Sequence, residues 1–515
     1  MKLNYKRTIL VGFAFFLIST FWQAYDTIIP KILTDRFGIS QTVSGIIMAL
    51  DNILALFMLP LFGIISDKCK SKMGRRTPFV LVGTIVAASL FISLSIVDNA
   101  QLKKLGEVKD LESVSVREML YDYEYPGKLK TPDGDTFELK EKFTKEEFVG
   151  IEMVGEDGKP TDAYTDYVVP ARQSYIYNEI TAKDPSALIW FIAILFLLLL
   201  SMATFRTPAV SLMPDVTPKP LRSKGNAIIN LMGTLGGSLT LVVGMILGTG
   251  GVKNTYMKYF PYFLIIGIVM FTCLLVFMLT VRERKLVSDM EAESAAMGII
   301  EEPVAESGKK AGLTKPELRS LIFILGSVAL WYFGYNAVTS KYSVYAGQVL
   351  NLDYNSTLLV ANVAALIAFI PVGIISSKIG RKKAILIGVT ILTSAFFIAS
   401  FMRNGTPLIV MTLLFVAAGI GWATINVNSF PMVVELAKGS DVGKYTGFYY
   451  TASMAAQTLT PVLSGFVMDS FGMTKLFPYA TIFAACAFVT MIFVKHGDSK
   501  PEQKGVLESL DVDGD

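Results

Sequence analysis

Histidine occurs once in the 515-residue sequence, at His496, and cysteine three times, at Cys69, Cys273 and Cys486, too far apart for a metal or redox spacing. That excludes a disulfide framework and a Cys/His metal centre; Cys273 and Cys486 are expected in apolar packing and Cys69 in a loop. With no nucleophile and base at a shared spacing and no cofactor motif, the chain does not read as an enzyme. Charge is scarce too: 17% of residues are charged, net charge is +4, and the basic residues sit in short clusters between apolar runs. Such clusters are loop determinants rather than a nucleic-acid face, so no nucleic-acid partner is expected.

Apolar residues fill the space that charge leaves. They make up 52% of the chain and give a mean hydropathy of +0.51, far more than soluble cores require, so the lipid bilayer is the expected surrounding. The first apolar run follows Lys2, Lys6 and Arg7 like a signal peptide, yet it is too long and has no small-residue cleavage pattern, so it reads as a spanning helix. At about 20 apolar residues per span, roughly twelve segments qualify, which makes the chain an all-α polytopic membrane protein. KCKSKMGRR (68–76), KPLRSK (219–224), RERK (282–285) and KIGRKK (378–383) fall on one side of a twelve-helix thread with both termini, and the positive-inside rule makes that side cytoplasmic. A multi-pass protein of the cell membrane, monomeric, is expected.

Two polar stretches interrupt the helices. Residues 98–186, with 20 acidic against 12 basic residues and the turns TPDGD and GEDGKP, lie on the outer side. Alternation in TFELKEKF and FVGIEM suggests a small strand-containing domain rather than a loose acidic loop. Residues 283–318 read as a cytoplasmic linker between halves. The expected plan is 1–97 with helices one to three, the insertion at 98–186, 187–282 with helices four to six, the linker, 319–495 with helices seven to twelve, and a cytoplasmic tail at 496–515.

The halves repeat. GIISDK at 63–68 returns as GIISSK at 373–378, and the same offset of 310 lays YDTIIPK (25–31) over YNAVTSK (335–341) and Asn52 over Asn362 without a gap. Agreement from one helix through the next argues for duplicated six-helix halves. GIISDK with Gly74, Arg75 and Arg76, and GIISSKIGRKK, resemble the loop signature of the major facilitator superfamily; the first copy carries a short extension near CKSK, and Ser377 replaces the acid in the second. ALDNILALFMLPLFGIISD, GRRTPF, RTPAVSLMPDVTPKPLRSKGNAIINLMG and GYNAV resemble sugar transporters of the sucrose-proton symporter type and their glycoside-pentoside-hexuronide:cation relatives. The resemblance implies the major facilitator fold and a small-molecule substrate, a sugar.

Charges at membrane depth are costly and mark function. Asp26, Asp51 and Arg206 qualify as the ion-coupling set. Counting about 1.5 Å per residue places Asp26 roughly 25 Å and Asp51 roughly 22 Å above the cytoplasmic ends, level with Asn336, Asn362 and Gln457. Arg206, Asn226, Asn230, Asn426, Asn428, Tyr449 and Tyr450 form a second layer roughly 10 Å lower. Gln23 and the aromatics Trp22, Tyr25, Trp331 and Tyr335 join the upper layer; aromatic faces suit a sugar ring and amides its hydroxyls, against the alternative of plain packing. A bare charge is disfavoured in a low-dielectric cavity, so an acid that must be neutral or cation-paired before the carrier reorients links transport to an ion gradient. The coupling ion is H+, with Na+ as the alternative. Asp67, Arg75 and Arg76 are expected to form a cytoplasmic latch across the seam between halves, with Asp215 joined to Arg222 or Lys224, Glu435 to Lys444, and Arg381 completing the second copy. The differences between copies, Asp26 against Asn336, Asp51 against Ala361 and Asp67 against Ser377, put ion coupling and the stronger gate in the first half and neutral substrate contacts in the second.

A secondary active sugar symporter working by alternating access is the resulting reading. A drug or metabolite exporter shares the fold, but NLMGTLGGSLTLVVGMILG in helix five has glycines and no proline, which favours uptake. A membrane sensor or adhesin anchored by its helices would not need the intramembrane acids.

Overall fold

The structure, a computed structural model, describes residues 3–156, 158–218, 221–296, 314–436 and 442–497, without the side chains of 223, 224, 227, 370, 377 and 442–444. The later part of the expected linker, most of the tail and the Lys444 side chain therefore lie outside the described residues. Among the described residues, ten helices are long and apolar enough to cross a membrane. In the first bundle they are α1 (Tyr5–Asp35), α2 and α3 (Gln41–Met48 and Leu50–Asp67, one span interrupted at Ala49), α4 (Thr77–Lys104), α9 (Ser186–Asp215), α10 (Arg222–Leu247) and α11 (Phe260–Thr280). In the second they are α13 (Lys315–Tyr345), α15 (Arg381–Ala399), α16 (Leu408–Val434) and α18 (Leu476–Ile492), joined by two further long helices, α14 (Tyr354–Ile379) and α17 (Val442–Phe471). Between them come the short helices of the insertion, α5 (Val114–Asp122), α6 (Leu139–Lys142), α7 (Lys145–Val149) and α8 (Val169–Tyr175), and then α12 (Glu283–Ala296).

Each bundle has its own apolar core, around Phe21, Leu33, Phe91 and Phe263 in the first and Trp331, Tyr342, Phe396 and Phe477 in the second. The pairings inside one bundle recur in the other: α1 packs on α10 as α13 packs on α17, α4 on α9 as α15 on α16, and α4 on α11 as α15 on α18. Across the seam, α2 lies on α17 and α10 on α14, again exchanged by the repeat. Proline sits inside α1, α3, α9, α14, α16 and α17, which packed neighbours make tolerable.

Several expected boundaries move. α4 runs to Lys104, because Asp98 is not the start of a polar loop: it is fully buried against Arg36, with 3.4 Å between charged atoms, and ties the end of α1 to α4. The expected linker begins as a helix, α12 (Glu283–Ala296), whose Glu293 takes two bonds from Arg7 at 3.1 and 2.9 Å. Cys273 is buried as expected, but Cys486 is exposed on α18.

The insertion is more helical than its alternation suggested. Among the described residues, strand pairing is limited to β1 (Leu129–Lys130) against antiparallel β2 (Thr136–Phe137), turned by TPDGD, and one isolated bridge from Val154 to Pro160. The residues after β2 become α6 (Leu139–Lys142) and α7 (Lys145–Val149), the latter opened by a Thr144–Glu147 capping box. With α5 (Val114–Asp122) and α8 (Val169–Tyr175), they enclose Val116, Leu120, Phe137, Phe148, Tyr164 and Val168. This core is the physical reason the segment is compact without disulfides.

At the opposite, basic end, Glu283 begins α12 with its carboxylate buried under α4. It accepts the backbone N–H groups of Arg75 at 2.8 Å, Arg76 at 3.0 Å and Thr77 at 2.8 Å, and the Thr77 hydroxyl at 2.7 Å. Gly74 has φ +118°, and a Cβ there would lie 2.2 Å from the Glu283 carboxylate, so the glycine of the GRR motif is required by this cap. Glu283→Gln is expected to cost about 2 kcal/mol of stability by removing a charge-assisted cap, and a thermal melt of the purified protein checks it.

Within the insertion, burial first, and then the neighbouring Asp162 and Asp133, push the Asp166 carboxyl up from 3.8 to about 6, with Lys142 opposing. The folded insertion thus holds a proton more tightly than the unfolded chain, and its stability falls as pH rises from about 4 to about 6. Hydrogen exchange of residues in the insertion, corrected for intrinsic rate, is expected to be slower at pH 5 than at pH 7.5, and Asp166→Asn to remove that difference.

Candidate functional site

Between the bundles lies a cavity of about 470 Å³. Its blind end is under the crossing of α2 and α17, marked by Met48 and Pro461, and it extends toward the basic end as far as Phe15, Val210 and Phe369. α1 supplies Trp22, Gln23, Tyr25 and Asp26; α3 supplies Asp51 and Asn52; α9 supplies Arg206 and α10 supplies Asn230. From the second bundle come Asn336, Asn362 and Gln457. The upper layer of polar groups expected from helix lengths therefore does converge, because equal rises along neighbouring helices bring residues to one depth.

Asp26 and Asp51 are half-buried, their carboxylates on the cavity wall. Asn52 donates to Asp51 at 2.9 Å, and the Arg206 guanidinium lies 5.4 Å over the Trp22 ring, a cation–π contact. The Tyr25 hydroxyl is spent on the Met48 carbonyl at 3.2 Å. Asn362 donates to the Gln23 side-chain oxygen at 3.3 Å, a bond between bundles across the cavity. The Trp22 indole N–H and the Asn336 amide nitrogen have no partner among the described residues, so two donors stand ready on opposite walls.

A second lobe of about 250 Å³ shares Gln23, Asp26, Thr234, Thr339 and Asn362 with the first and extends into the second bundle. Its wall is aromatic: Tyr335 and Trp422 stack with ring centroids 3.6 Å apart and planes within 2°, and Phe396 and Phe415 close the far side. Trp422, Thr339 and Asn52 were missed in the sequence. Asn52 had a signal in its match to Asn362; Trp422 had none, because one tryptophan in an apolar run shows no facing.

Trp331, expected beside substrate, is instead fully buried in the second bundle's core, because its side of α13 meets α17 and α18. Among the expected lower layer only Arg206 and Asn230 line the cavity. Asn428 is buried and bonded to the Thr424 carbonyl of its own helix at 2.9 Å, and Asn226, Asn426, Tyr449 and Tyr450 lie outside the lining of both lobes.

The basic-end charges are also paired differently. Arg76 bonds Asp67 at 2.5 Å and Asp215 at 3.0 Å, and Arg75 bonds Asp215 at 2.7 Å, all inside the first bundle rather than across the seam. Asp215 is taken by these two arginines, which immediately precede α4, and Arg222 donates to the Thr217 carbonyl instead. Glu435 bonds Arg381 within the second bundle, while the side chains of Lys444, its expected partner, and of Lys224, the alternative partner of Asp215, lie outside the described residues.

A family model described as Major Facilitator Superfamily matches residues 180–427 and 353–510, and one described as MFS/sugar transport protein matches residues 10–102. Sucrose transport protein SUC3 of Arabidopsis thaliana is 45% identical over 68 residues, 13% of this chain and 10% of that protein. The chain thus spans about a tenth of the length of this curated relative. The inward open xylose transporter XylE from E. coli superposes with a TM-score of 0.56 at 14% identity, covering 98% of both chains, and a POT family transporter in complex with 5-aminolevulinic acid with 0.58 at 12%, covering 95% of both. With family matches running from 180 to 510, a helical-bundle fold shared with these solved structures and a polar cavity between two bundles, the chain belongs to the major facilitator superfamily.

Proposed function

We propose that the protein is a proton-coupled sugar symporter, for a glycoside or disaccharide, working by alternating access with twelve spans in two six-helix repeats. Both termini and the basic loops are cytoplasmic and the insertion faces outward. The observation that carries this reading is one cavity with two unlike walls: Asp26, Asp51 and Arg206 on the first bundle, and the Tyr335–Trp422 stack on the second. An aromatic face receives the C–H face of a sugar ring, while Gln23, Asn336 and Asn362 supply hydroxyl contacts.

Coupling rests on the two acids. A carboxylate exposed in the central cavity carries a charge that the closing of the bundles would strip of water. Proton uptake removes that cost, so reorientation is tied to the proton load, and Arg206 biases which acid carries it. H+ rather than Na+ fits a pair of carboxylates beside an arginine, because the arginine already neutralises part of the charge a metal cation would need. The blind end of the cavity lies toward the insertion, so this conformation faces inward. In it, Asp67, Arg75, Arg76 and Asp215 on one bundle and Arg381 and Glu435 on the other bond within their own bundles, ready to exchange partners when that end closes.

Asp26→Asn and Asp51→Asn are expected to reduce gradient-driven sugar accumulation in proteoliposomes to about a tenth or less while sparing counterflow. Accumulation retained in both single variants and in the double variant rejects the coupling. For the aromatic wall, Trp422→Ala is expected to weaken sugar affinity by about fivefold, and Trp331→Phe to leave it unchanged; a panel of mono- and disaccharides scored by substrate-induced pH change identifies the sugar and measures both.

A further inference from the structure

On this reading of an alternating-access carrier, the closed end of the cavity must open, and the groups holding it shut are none of those assigned above. α2 and α17 meet backbone to backbone: a Cβ on Gly45 would lie 2.0 Å from the Pro461 carbonyl, and one on Gly465 would lie 2.2 Å from the Gln41 carbonyl. Only glycine at both places lets the two bundles close so tightly.

Side chains fasten this contact from both bundles. Asp469, near the end of α17, accepts the backbone N–H of Gln41 at 2.9 Å, that of Thr42 at 2.7 Å and the Thr42 hydroxyl at 2.5 Å, thereby capping α2 across the seam. Lys341, fully buried on α13, donates to the Gln41 carbonyl of the first bundle at 2.7 Å. Lys31, which the 310-residue offset places over Lys341, bonds Asp35 at 2.8 Å, and Asp35 accepts Gln348 of the second bundle at 3.0 Å. A buried ammonium is costly unless it is compensated; Lys31 has Asp35 on its own helix, whereas the Gln41 carbonyl that Lys341 meets is supplied only by the closed seam.

The insertion grips the same turn. Although it hangs between α4 and α9 of the first bundle, Lys130 on β1 donates to the Asp469 carbonyl at 2.6 Å, and the Thr474 N–H donates to the Pro132 carbonyl at 3.0 Å. Gly134, at φ +98°, approaches so closely that a Cβ would lie 2.3 Å from the Phe471 carbonyl. Nearby, Asn404 donates to Asp162 at 2.9 Å and Asn351 to Thr165 at 3.1 Å, so the insertion bonds the second bundle at several points. Beyond the crossing lies another cavity, of about 280 Å³, walled by Gln41, Lys128, Lys130, Gln348 and Asp469. The crossing is a partition between two chambers.

We propose that the α2–α17 crossing is the gate of the insertion-side mouth, that Asp469 and Lys341 are its positioning residues, and that the β1–β2 hairpin is a clasp which favours the closed state. Release of Asp469 from α2 joins the two chambers into one path.

The test places a single cysteine in the cavity, Thr339→Cys, in a full-length background with Cys69, Cys273 and Cys486 replaced by serine. Labelling by a membrane-impermeant maleimide is followed from each face of oriented vesicles. Asp469→Asn and Lys341→Met are expected to raise the initial rate from the insertion side by about tenfold and Lys130→Met by about threefold, with a matching fall from the basic side. The opposite changes at the two faces separate a shift of gate population from simple loosening, which speeds both. Thr42→Val, which removes only one hydroxyl donor, gives a smaller rise and keeps the test decisive if a buried-charge variant fails to fold. Folded variants that label at the parent rate from the insertion side overturn the proposal. Labelling requires no sugar and no proton gradient, so its failure is distinct from failure of the symport reading.

Discussion

Two helix backbones in contact govern much of this molecule. Where α2 crosses α17, glycines at 45 and 465 remove the side chains that would hold the bundles apart, and the carbonyls of Gln41 and Pro461 come within a Cβ's reach of the opposing helix. Close approach of this kind is how helices associate where lipid offers no hydrophobic drive. Together with the bonds that Tyr354 and Asn355 of α14 make to Thr249 after α10, it closes one end of the seam, and the cavity extends toward the other.

Beneath that seal, the walls differ because the two copies of the repeat have diverged at the same depth. Asp26 and Asp51 in the first bundle stand where Asn336 and Ala361 stand in the second, and the space freed by Ala361 and Gly419 is part of the lobe that Trp422 and Tyr335 line. Two acids and an aromatic stack thus face one another across one cavity without either displacing the other. The Asn362 to Gln23 bond spans the two walls, so solute entering there must compete with a contact between the bundles.

The insertion turns a two-body machine into one with a third part. It is covalently continuous with the first bundle, carries its own apolar core, and spends Lys130, Asp162 and Thr165 on bonds to the second bundle. Glu283 does the corresponding work at the opposite end, where one buried carboxylate organises three backbone amides and the GRR turn. The arginines of that motif are thereby presented to Asp67 and Asp215, which explains a glycine and two basic residues at this spacing in physical terms.

Hydropathy and the 310-residue offset determined the spanning segments, the duplication and the depth of the cavity acids, since all three depend on local periodicity and rise per residue. The convergence of Asp26, Asp51, Asn336, Asn362 and Gln457 was legible for the same reason. Facing was not: Trp331 and Trp422 are each a tryptophan in an apolar helix, and only packing turned one into the core and the other onto the cavity. Nor were partners legible, since Asp215 bonds Arg75 and Arg76, which are distant in sequence, while the nearby Arg222 donates to the Thr217 carbonyl. Tertiary structure alone decided that the tight closure lies at the insertion end, because Gln41, Lys341 and Asp469 meet only when two bundles dock, and no local pattern records that meeting.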